Sequence, residues 1–236
     1  MRDRACQQFL DGLELLDFNA KKIPQLPEIN EKLYALTGWG VEPVPALIGF
    51  ERFFELLANK KFPAATFIRT REDIDYIQEP DLFHEFFGHC PLLTNPDYAE
   101  FSHHYGQLGL SASKADRRML ARLYWFTVEF GLIETDEGLK IYGGGILSSR
   151  EESRYCLESN QPLRKDLCVI DAFRTPYRID ELQRNYFKIR DFSDLHRFSQ
   201  MDLTKLVKEA RYMGLHESDY PPKDDPDCLR QVLSTM

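Results

Sequence analysis

The feature that most constrains the fold is a single carboxylate inside an apolar run. Residues 123–133 read LYWFTVEFGLI, so every neighbour of Glu129 except Thr127 is apolar or glycine. Burying a carboxylate in such surroundings costs free energy unless a cation or a full set of hydrogen-bond donors satisfies it. We therefore expect the fold to bring a cation to Glu129.

Two closely spaced histidines would supply the remaining ligands for such a cation. His84 and His89 both lie in the segment EPDLFHEFFGHCP, residues 79–91. A five-residue step on a regular α-helix turns two side chains roughly 140° apart, so these imidazoles converge only if the winding loosens or the helix ends between them. Gly88 and Pro91 favour such a perturbation. Two histidines and one carboxylate form the facial triad of non-haem Fe(II) oxygenases, which leaves coordination positions open.

Other interpretations of the same residues stay open. A zinc hydrolase would use both histidines and Glu129, with Glu85 as general base, although the five-residue spacing differs from the H-E-x-x-H of zinc proteases. A metal-stabilised binding module would need a closed four-ligand site, and only Cys90 adjoins a histidine. Each residue alone could also be structural. The other histidines are treated as non-ligands; they are His103, His104, His196 and His216.

Composition excludes several classes of protein. With 236 residues, 43 % of them hydrophobic, the chain fits one globular domain. The net charge of −8 without a basic block argues against nucleic-acid binding. No apolar run approaches the roughly 20 residues that span a membrane, and no signal core is present, so we expect a cytoplasmic protein. The scattered cysteines predict reduced, mostly buried thiols; they are Cys6, Cys90, Cys156, Cys168 and Cys228.

Apolar spacing and capping signals predict a mainly α-helical chain with small β hairpins, an α+β fold. The predicted helices are 4–16, 27–38, 49–58, 81–90, 96–108, 113–131, 149–158 and 193–213. The predicted strands are 65–69, 139–142, 167–171 and 186–190, with a turn at 143–145 and a loop at 221–226.

Three motifs resemble those of the aromatic amino acid hydroxylases and occur in the expected order. They are PDxxHExxGH at 80–89, YWFTVEFG at 124–131 and YGGGILSS at 142–149. The similarity extends from roughly residue 5 to residue 190. The sequence HCPLLTNP, residues 89–96, resembles the bacterial phenylalanine hydroxylases in particular.

The resemblance implies that His84, His89 and Glu129 bind Fe(II), where a tetrahydropterin and O2 convert L-phenylalanine to L-tyrosine. The pterin would supply two electrons for cleavage of the O–O bond. Hydroxylation of tyrosine or tryptophan is the alternative activity. The resemblance also predicts one catalytic domain over residues 1–236, a monomer or homodimer, without the regulatory domain and the C-terminal oligomerisation helix of animal members.

For the substrate, the resemblance implies that Arg69 binds the carboxylate with its planar fork. It implies that three residues wall the aromatic ring, namely Pro80, Trp125 and Phe130. Gly145 and Ser148 would also contact the substrate, and Ser148 would orient an iron-ligating histidine. The glycines at 143–145 would let the backbone approach the substrate closely.

For the pterin, the resemblance implies that Phe53 stacks on the cofactor while the backbone of Leu47 and Ile48 recognises its edge. Glu85 would contact the pterin through water. Tyr124 would lie near the metal-bound water. Glu85, Tyr124 and Ser148 are therefore expected to take part in catalysis.

Overall fold

Helices account for most of the regular structure in the computed structural model, which describes residues 1–19, 21–45, 47–74, 77 and 79–220. The predicted loop at 221–226 and Cys228 lie outside these residues. The α-helices are α1 Gln7–Leu15, α2 Leu26–Thr37, α3 Phe50–Ala58, α4 Pro96–Ser111, α5 Lys114–Tyr124, α6 Gly144–Leu147, α7 Arg150–Glu158, α8 Val169–Arg174, α9 Phe192–Ser199 and α10 Leu203–Met213. Two π-helices, π1 His84–His89 and π2 Trp125–Glu129, and a 3-10 helix Leu92–Thr94 complete the set.

The strands form two small sheets. They are β1 Gly40–Val44, β2 Lys61–Ala65, β3 Leu132–Thr135, β4 Gly138–Ile141, β5 Leu163–Asp166 and β6 Asn185–Ile189. Strands β1 and β2 pair in parallel, and the second sheet has the order β4-β3-β6-β5. Only the β3–β4 pair in the described part of the chain is an antiparallel hairpin, since β6 pairs in parallel with both β3 and β5. The predicted mainly helical α+β class is confirmed.

Most predicted helices are confirmed within a few residues, and the capping chemistry explains their ends. Gly38 closes α2 in the left-handed conformation, with φ 75°, which favours glycine. The Ser113 side chain accepts a hydrogen bond from the backbone N of Asp116, 3.2 Å away, at the start of α5. The helix predicted over 113–131 changes its winding at Trp125, where π2 begins.

The strand predicted at 65–69 is wrong by position. The strand observed is β2, Lys61–Ala65, and residues 66–69 are irregular. Pro63 lies within this strand. Each strand of a two-stranded sheet is an edge strand and can accommodate proline. The strands β1, β3 and β5 were not predicted.

Three further predictions are wrong in the second half of the chain. Residues 167–171 contain no strand; α8 begins at Val169 and buries Val169, Ala172 and Phe173 at helical spacing. The turn predicted at 143–145 belongs instead to the start of α6. The helix predicted over 193–213 is broken between α9 and α10, because the Asp202 side chain accepts a hydrogen bond from the backbone N of Lys205, 2.9 Å away, and starts a new helix.

The short helix α6 packs against π1 at the closest backbone approach near the two histidines. A Cβ at Gly88 would lie 2.7 Å from the carbonyl oxygen of Gly144. A Cβ at Gly144 would lie 2.3 Å from Cε1 of His89. Both glycines are therefore required where they stand. No helix among the described residues is long and apolar enough to cross a membrane.

Candidate metal centre

The loosened winding expected between the two histidines is present. Residues His84–His89 form the π-helix π1, and the backbone N of Cys90 donates to the carbonyl of Glu85, 3.2 Å away, in the i→i+5 pattern. In such a helix, residues five apart lie about one turn from each other. The spacing that separates two side chains on an α-helix therefore brings His84 and His89 to the same face.

The third residue of the predicted triad also lies on a π-helix. Glu129 ends π2, and the backbone N of Phe130 donates to the carbonyl of Trp125, 2.8 Å away. Its Oε2 atom is 3.3 Å from Nε2 of His89 and 3.6 Å from Nε2 of His84. The two Nε2 atoms are 3.0 Å apart. The structure thus brings all three predicted ligand residues together.

These separations fit a common metal ion. Two atoms that each bind a metal at about 2.1 Å, with a right angle between them, lie about 3.0 Å apart. The side chains of His84 and Glu129 are 15 % and 16 % exposed, whereas that of His89 is fully buried, so solvent reaches one side of the cluster. The donor set of two imidazoles and one carboxylate is the one typical of non-haem iron.

A serine fixes the tautomer of one imidazole. Ser148 Oγ lies 2.8 Å from Nδ1 of His84 and donates a hydrogen bond to the carbonyl of Gly145, 3.3 Å away. Because the hydroxyl proton goes to that carbonyl, the serine oxygen accepts the Nδ1 proton of His84. The lone pair of Nε2 then points toward Glu129 and is available to a metal.

Electrostatics keep the cluster in the protonation state that a cation requires. Burial lowers the pKa of His84 to about 4, partly opposed by the negative charge of Glu129. Burial raises the pKa of Glu129, but the neighbouring His89 and His84 outweigh it, so the net pKa lies below its ordinary value. Near neutral pH the imidazole of His84 is neutral and Glu129 is ionised.

A second carboxylate lies close enough to be considered as the third ligand. His84, Glu85 and His89 each offer a ligand atom within 4.8 Å of one another. Burial, together with the negative charges of Glu129 and Asp81, raises the pKa of Glu85 well above its ordinary value. Because the pKa of Glu85 is raised whereas that of Glu129 is lowered, Glu129 is the better ligand of the two.

Arg69 is anchored beside the cluster rather than exposed at a strand end. Its Nη2 and Nε donate to the two carboxylate oxygens of Asp81, at 2.7 and 3.0 Å, and its side chain is 9 % exposed. Its Nη1 donates to the carbonyl of Ser148, 3.2 Å away. The guanidinium also lies over the ring of Phe83, 5.1 Å from the ring centre. Ser148 thus contacts both Arg69 and His84 and links the two residues.

Asp81 stands at the start of the predicted helix 81–90, and its contact with Arg69 was not predicted. Its Oδ1 accepts from the backbone N of His84, 3.0 Å away, and its carboxylate also pairs with Arg69. The pKa of this fully buried carboxyl lies below its ordinary value, because the hydrogen bonds and charge of Arg69 outweigh the effect of burial. One residue therefore links Arg69 to the first turn of the histidine segment.

The sequence of the chain is similar to those of one enzyme family. Residues 1–211 match the family described as biopterin-dependent aromatic amino acid hydroxylase. The chain is 60 % identical over 220 residues to a phenylalanine-4-hydroxylase of Pseudomonas aeruginosa, with 93 % of the chain and 84 % of that protein covered.

The chain belongs to the aromatic amino acid hydroxylases.

Solved structures of this family share the fold. The phenylalanine hydroxylase of Legionella pneumophila matches with a TM-score of 0.91 and 52 % identity, covering 94 % of this chain and 95 % of that chain. A phenylalanine hydroxylase of Chromobacterium violaceum with bound oxidised Fe(III) matches with a TM-score of 0.88 and 45 % identity, covering 94 % of this chain and 81 % of that chain. The zinc hydrolase and the binding module are thereby set aside.

In this hydroxylase, Trp125 stands in an aromatic stack next to the metal centre. Its ring lies between Phe130 and Tyr177, with centres 4.5 and 4.4 Å away and planes inclined by 27° and 19°. A Cβ at Gly145 would lie 3.0 Å from the ring of Phe130. Tyr177 was missed from the sequence because it lies in the irregular segment between α8 and β6.

Two aromatic residues expected on the cofactor side of the hydroxylase meet each other. The rings of Phe53 and Tyr124 are 5.0 Å apart in an edge-to-face arrangement. Tyr124 is 7 % exposed, and its hydroxyl has no hydrogen-bond partner within the described ranges. Burial raises its pKa well above the ordinary value, so it remains a phenol. Leu47 is exposed and Ile48 half-buried, directly before α3.

Two remaining predictions concern Pro80 and the cysteines. Pro80 is half-buried and immediately precedes Asp81. Cys6, Cys90 and Cys156 are buried and unpaired. Cys168 is unpaired but exposed, so the expectation of mostly buried thiols holds for three of the four cysteines that the structure describes.

Proposed function

We propose that this chain hydroxylates L-phenylalanine to L-tyrosine with O2 and a tetrahydropterin, at an Fe(II) ion held by His84, His89 and Glu129. The observation that carries the proposal is the convergence of two imidazole Nε2 atoms and one ionised carboxylate from two π-helices. Phenylalanine is the substrate named for the relative with 60 % identity. When bound, the iron and pterin supply the activation of O2 and two electrons.

Binding of the amino acid is assigned to Arg69. Three of its five N–H groups bond to Asp81 and to the Ser148 carbonyl, which holds the guanidinium rigid and leaves part of the fork for a carboxylate. Ser148 and Gly145 then lie on the path from Arg69 to His84 and would contact the bound amino acid. This anchoring orients the aromatic ring before reaction.

The aromatic ring of the substrate is assigned to a wall formed by Trp125, Phe130 and Pro80. The Trp125–Phe130 stack offers an apolar aromatic surface, which suits a benzene ring and excludes water from the reacting carbon. Phe130 follows the ligand Glu129 directly in sequence. The wall is therefore tied to the metal centre by the backbone of π2.

The pterin is assigned to the side of the centre near Phe53, with the backbone of Leu47 and Ile48 at its edge. A phenylalanine ring can stack on the flat pterin. Glu85, whose pKa is raised by burial and by its negative neighbours, is assigned to contact the pterin through a bridging water. Tyr124 is assigned to a position near the metal-bound water.

The proposed reaction is tested by an aerobic assay with Fe(II), tetrahydrobiopterin and each of phenylalanine, tyrosine and tryptophan, with products identified by mass spectrometry. We expect tyrosine from phenylalanine as the main product. Preferential hydroxylation of tyrosine or tryptophan would transfer the proposal to that alternative activity. Absence of a hydroxylated product from all three amino acids would overturn it.

We also propose that the protein works in the cytoplasm as a monomer or homodimer. Four cysteines of the described ranges are unpaired, which suits a reducing compartment. Light scattering coupled to size-exclusion chromatography measures the oligomeric state, and a stable trimer or larger species would contradict this part of the proposal.

A further inference from the structure

Gln183 lies in the segment between α8 and β6 and is 1 % exposed. Its Nε2 donates to the carbonyl oxygens of Arg178 and Glu181, at 2.6 and 3.1 Å. These two carbonyls can only accept hydrogen bonds, so they fix which end of the amide carries nitrogen. Its Oε1 is thereby directed at Trp125 and accepts a hydrogen bond from Nε1 of that indole, 3.0 Å away.

The backbone of Gln183 is fixed as firmly as its side chain. Its N–H donates to Oε1 of Glu152, 3.0 Å away, and the hydroxyl of Tyr186 donates to the same oxygen. Glu152 is 6 % exposed and stands on α7. The backbone N–H of Gln183 is therefore held by Glu152 of α7, whose carboxylate is in turn held by Tyr186 of β6.

The contacts of Trp125 explain why its ring needs this bond. Phe130 and Tyr177 cover its two faces. Stacking confines a ring to a plane but tolerates sliding and turning within it. A hydrogen bond is directional, and within the described part of the chain the bond to Gln183 is the one hydrogen bond that constrains the indole in its own plane.

We propose that Gln183 is a positioning residue for the reaction: it fixes the in-plane orientation of the Trp125 ring and so sets the shape of the wall against which the aromatic ring of the substrate lies. The inference rests on the proposed function, because it takes Trp125 as part of the substrate pocket. Gln183 acts through the indole, without touching the substrate.

Loss of this bond has a defined chemical consequence. A substrate ring that is misaligned reacts less often, while the pterin is still oxidised. The two electrons and the two protons that the pterin gives up on oxidation would then reduce O2 to hydrogen peroxide, and no C–O bond would form. The ratio of tyrosine formed to pterin oxidised therefore reports the alignment of the ring.

The primary variant is Q183M, which keeps the length of the side chain and removes its hydrogen-bonding atoms. We expect the KM for phenylalanine to rise about 3- to 10-fold, the size expected for one hydrogen bond, with a smaller change in kcat. The ratio of tyrosine to oxidised pterin should fall. Q161M is the matched control, because Gln161 is exposed and its side chain makes none of these contacts.

The W125F background separates positioning from a general structural role. Phenylalanine lacks the indole N–H, so Q183M should change KM less than about twofold when it is added to W125F. Tryptophan emission gives a second readout that is independent of activity. Q183M should shift the emission when Trp125 is present and leave it unchanged in W125F, where Trp39 is the remaining tryptophan.

The possible outcomes are distinguishable. An equal rise of KM in both backgrounds, or a fall in melting temperature with no change of KM, coupling ratio or emission, would overturn the inference. If Q183M does not fold, W125F alone removes the donor without touching Gln183, and an unchanged KM and coupling ratio in W125F would overturn the inference in its place. Failure of the wild-type protein to form tyrosine would instead refute the proposed function.

Discussion

At the scale of single residues, the hydroxyl of Ser148 decides which nitrogen of His84 faces the metal centre. The hydroxyl oxygen accepts a hydrogen bond from the Nδ1–H of His84, and the hydroxyl donates its own hydrogen bond to the carbonyl of Gly145. Partners of this kind raise the basicity of a metal-ligating histidine and hold its ring in place. We therefore expect the serine to contribute to metal affinity without binding the metal.

The substitution S148A should weaken Fe(II) binding about 10- to 100-fold, because the imidazole loses its preferred tautomer and orientation. Anaerobic titration with Fe(II) measures this effect. S153A is the control, since Ser153 is also buried but its hydroxyl donates to the carbonyl of Arg150. Equal iron affinities of S148A and the wild type would refute the role of the serine.

The substitution R69K should raise the KM for phenylalanine about 10- to 100-fold, because an ammonium group cannot bond to Asp81 and Ser148 and also bind a carboxylate with a planar fork. Steady-state kinetics measure the effect. R52K, at an exposed ion pair with Glu55, should leave KM unchanged. A KM for R69K within twofold of the wild-type value would rule out carboxylate binding by Arg69.

The motifs predicted the residues that carry chemistry, but not the residues that support them. His84, His89 and Glu129 are recognisable because a buried carboxylate and two imidazoles are costly unless they meet. Gln183 and Tyr177 lie in an irregular segment with no periodicity. Their contacts with Trp125 depend on the course of a loop that local sequence does not determine.

At the scale of secondary-structure elements, the centre depends on two π-helices that face each other. Residues five apart in π1 share a face, and π2 places Glu129 against them. The loosened winding of the first segment was predicted from the histidine spacing. That of the second was not, because a single carboxylate gives no spacing from which a winding can be inferred.

The same limit applies to the strands. Local patterns predicted segments near β4 and β6, but β1, β3 and β5 were missed. The strand predicted at 167–171 is instead the start of the helix α8. Strands β1 and β2 pair across the whole of α3, and β6 pairs in parallel with β3 and β5. Such pairings depend on contacts between distant segments, which alternation of apolar residues does not encode.

The close approach of α6 to π1 gives a prediction for an element contact. G144A should lower the free energy of unfolding by about 1–3 kcal/mol and weaken Fe(II) binding, because the added Cβ would lie 2.3 Å from the His89 ring. Chemical denaturation and iron titration measure both effects. G49A is the control, since a Cβ there has no atom within 4 Å. Native iron affinity in G144A would contradict this packing.

At the scale of the whole molecule, a buried acid links stability to pH. Burial raises the pKa of Glu152 to about 7 from an ordinary value of 4.5, although the hydroxyl of Tyr186 and the backbone N of Gln183 oppose the shift. Between these two values the folded chain binds more protons than the unfolded chain. The contribution of Glu152 to stability is therefore present below pH 4.5 and is lost as the pH rises through 7.

The substitution E152Q removes this titration. Relative to that of the wild type, its free energy of unfolding should increase by up to about 3 kcal/mol as the pH rises from 4.5 to 8, so that E152Q becomes the relatively more stable protein. Urea denaturation at several pH values measures the difference. E151Q, at the exposed neighbouring carboxylate, should show no such trend. A difference between E152Q and wild type that stays constant with pH would exclude Glu152 as the titrating group.

The account as a whole depends on Glu129, rather than the neighbouring Glu85, completing the metal centre. The most direct measurement is the Fe(II) affinity of E129Q and E85Q, determined anaerobically beside the wild type. We predict that E129Q loses more than about 100-fold in Fe(II) affinity, which exceeds the loss typical of residues that only support a metal ligand. We predict that E85Q binds one iron with near-native affinity but hydroxylates phenylalanine poorly. Native iron binding by E129Q, or loss of iron from E85Q, would contradict the account.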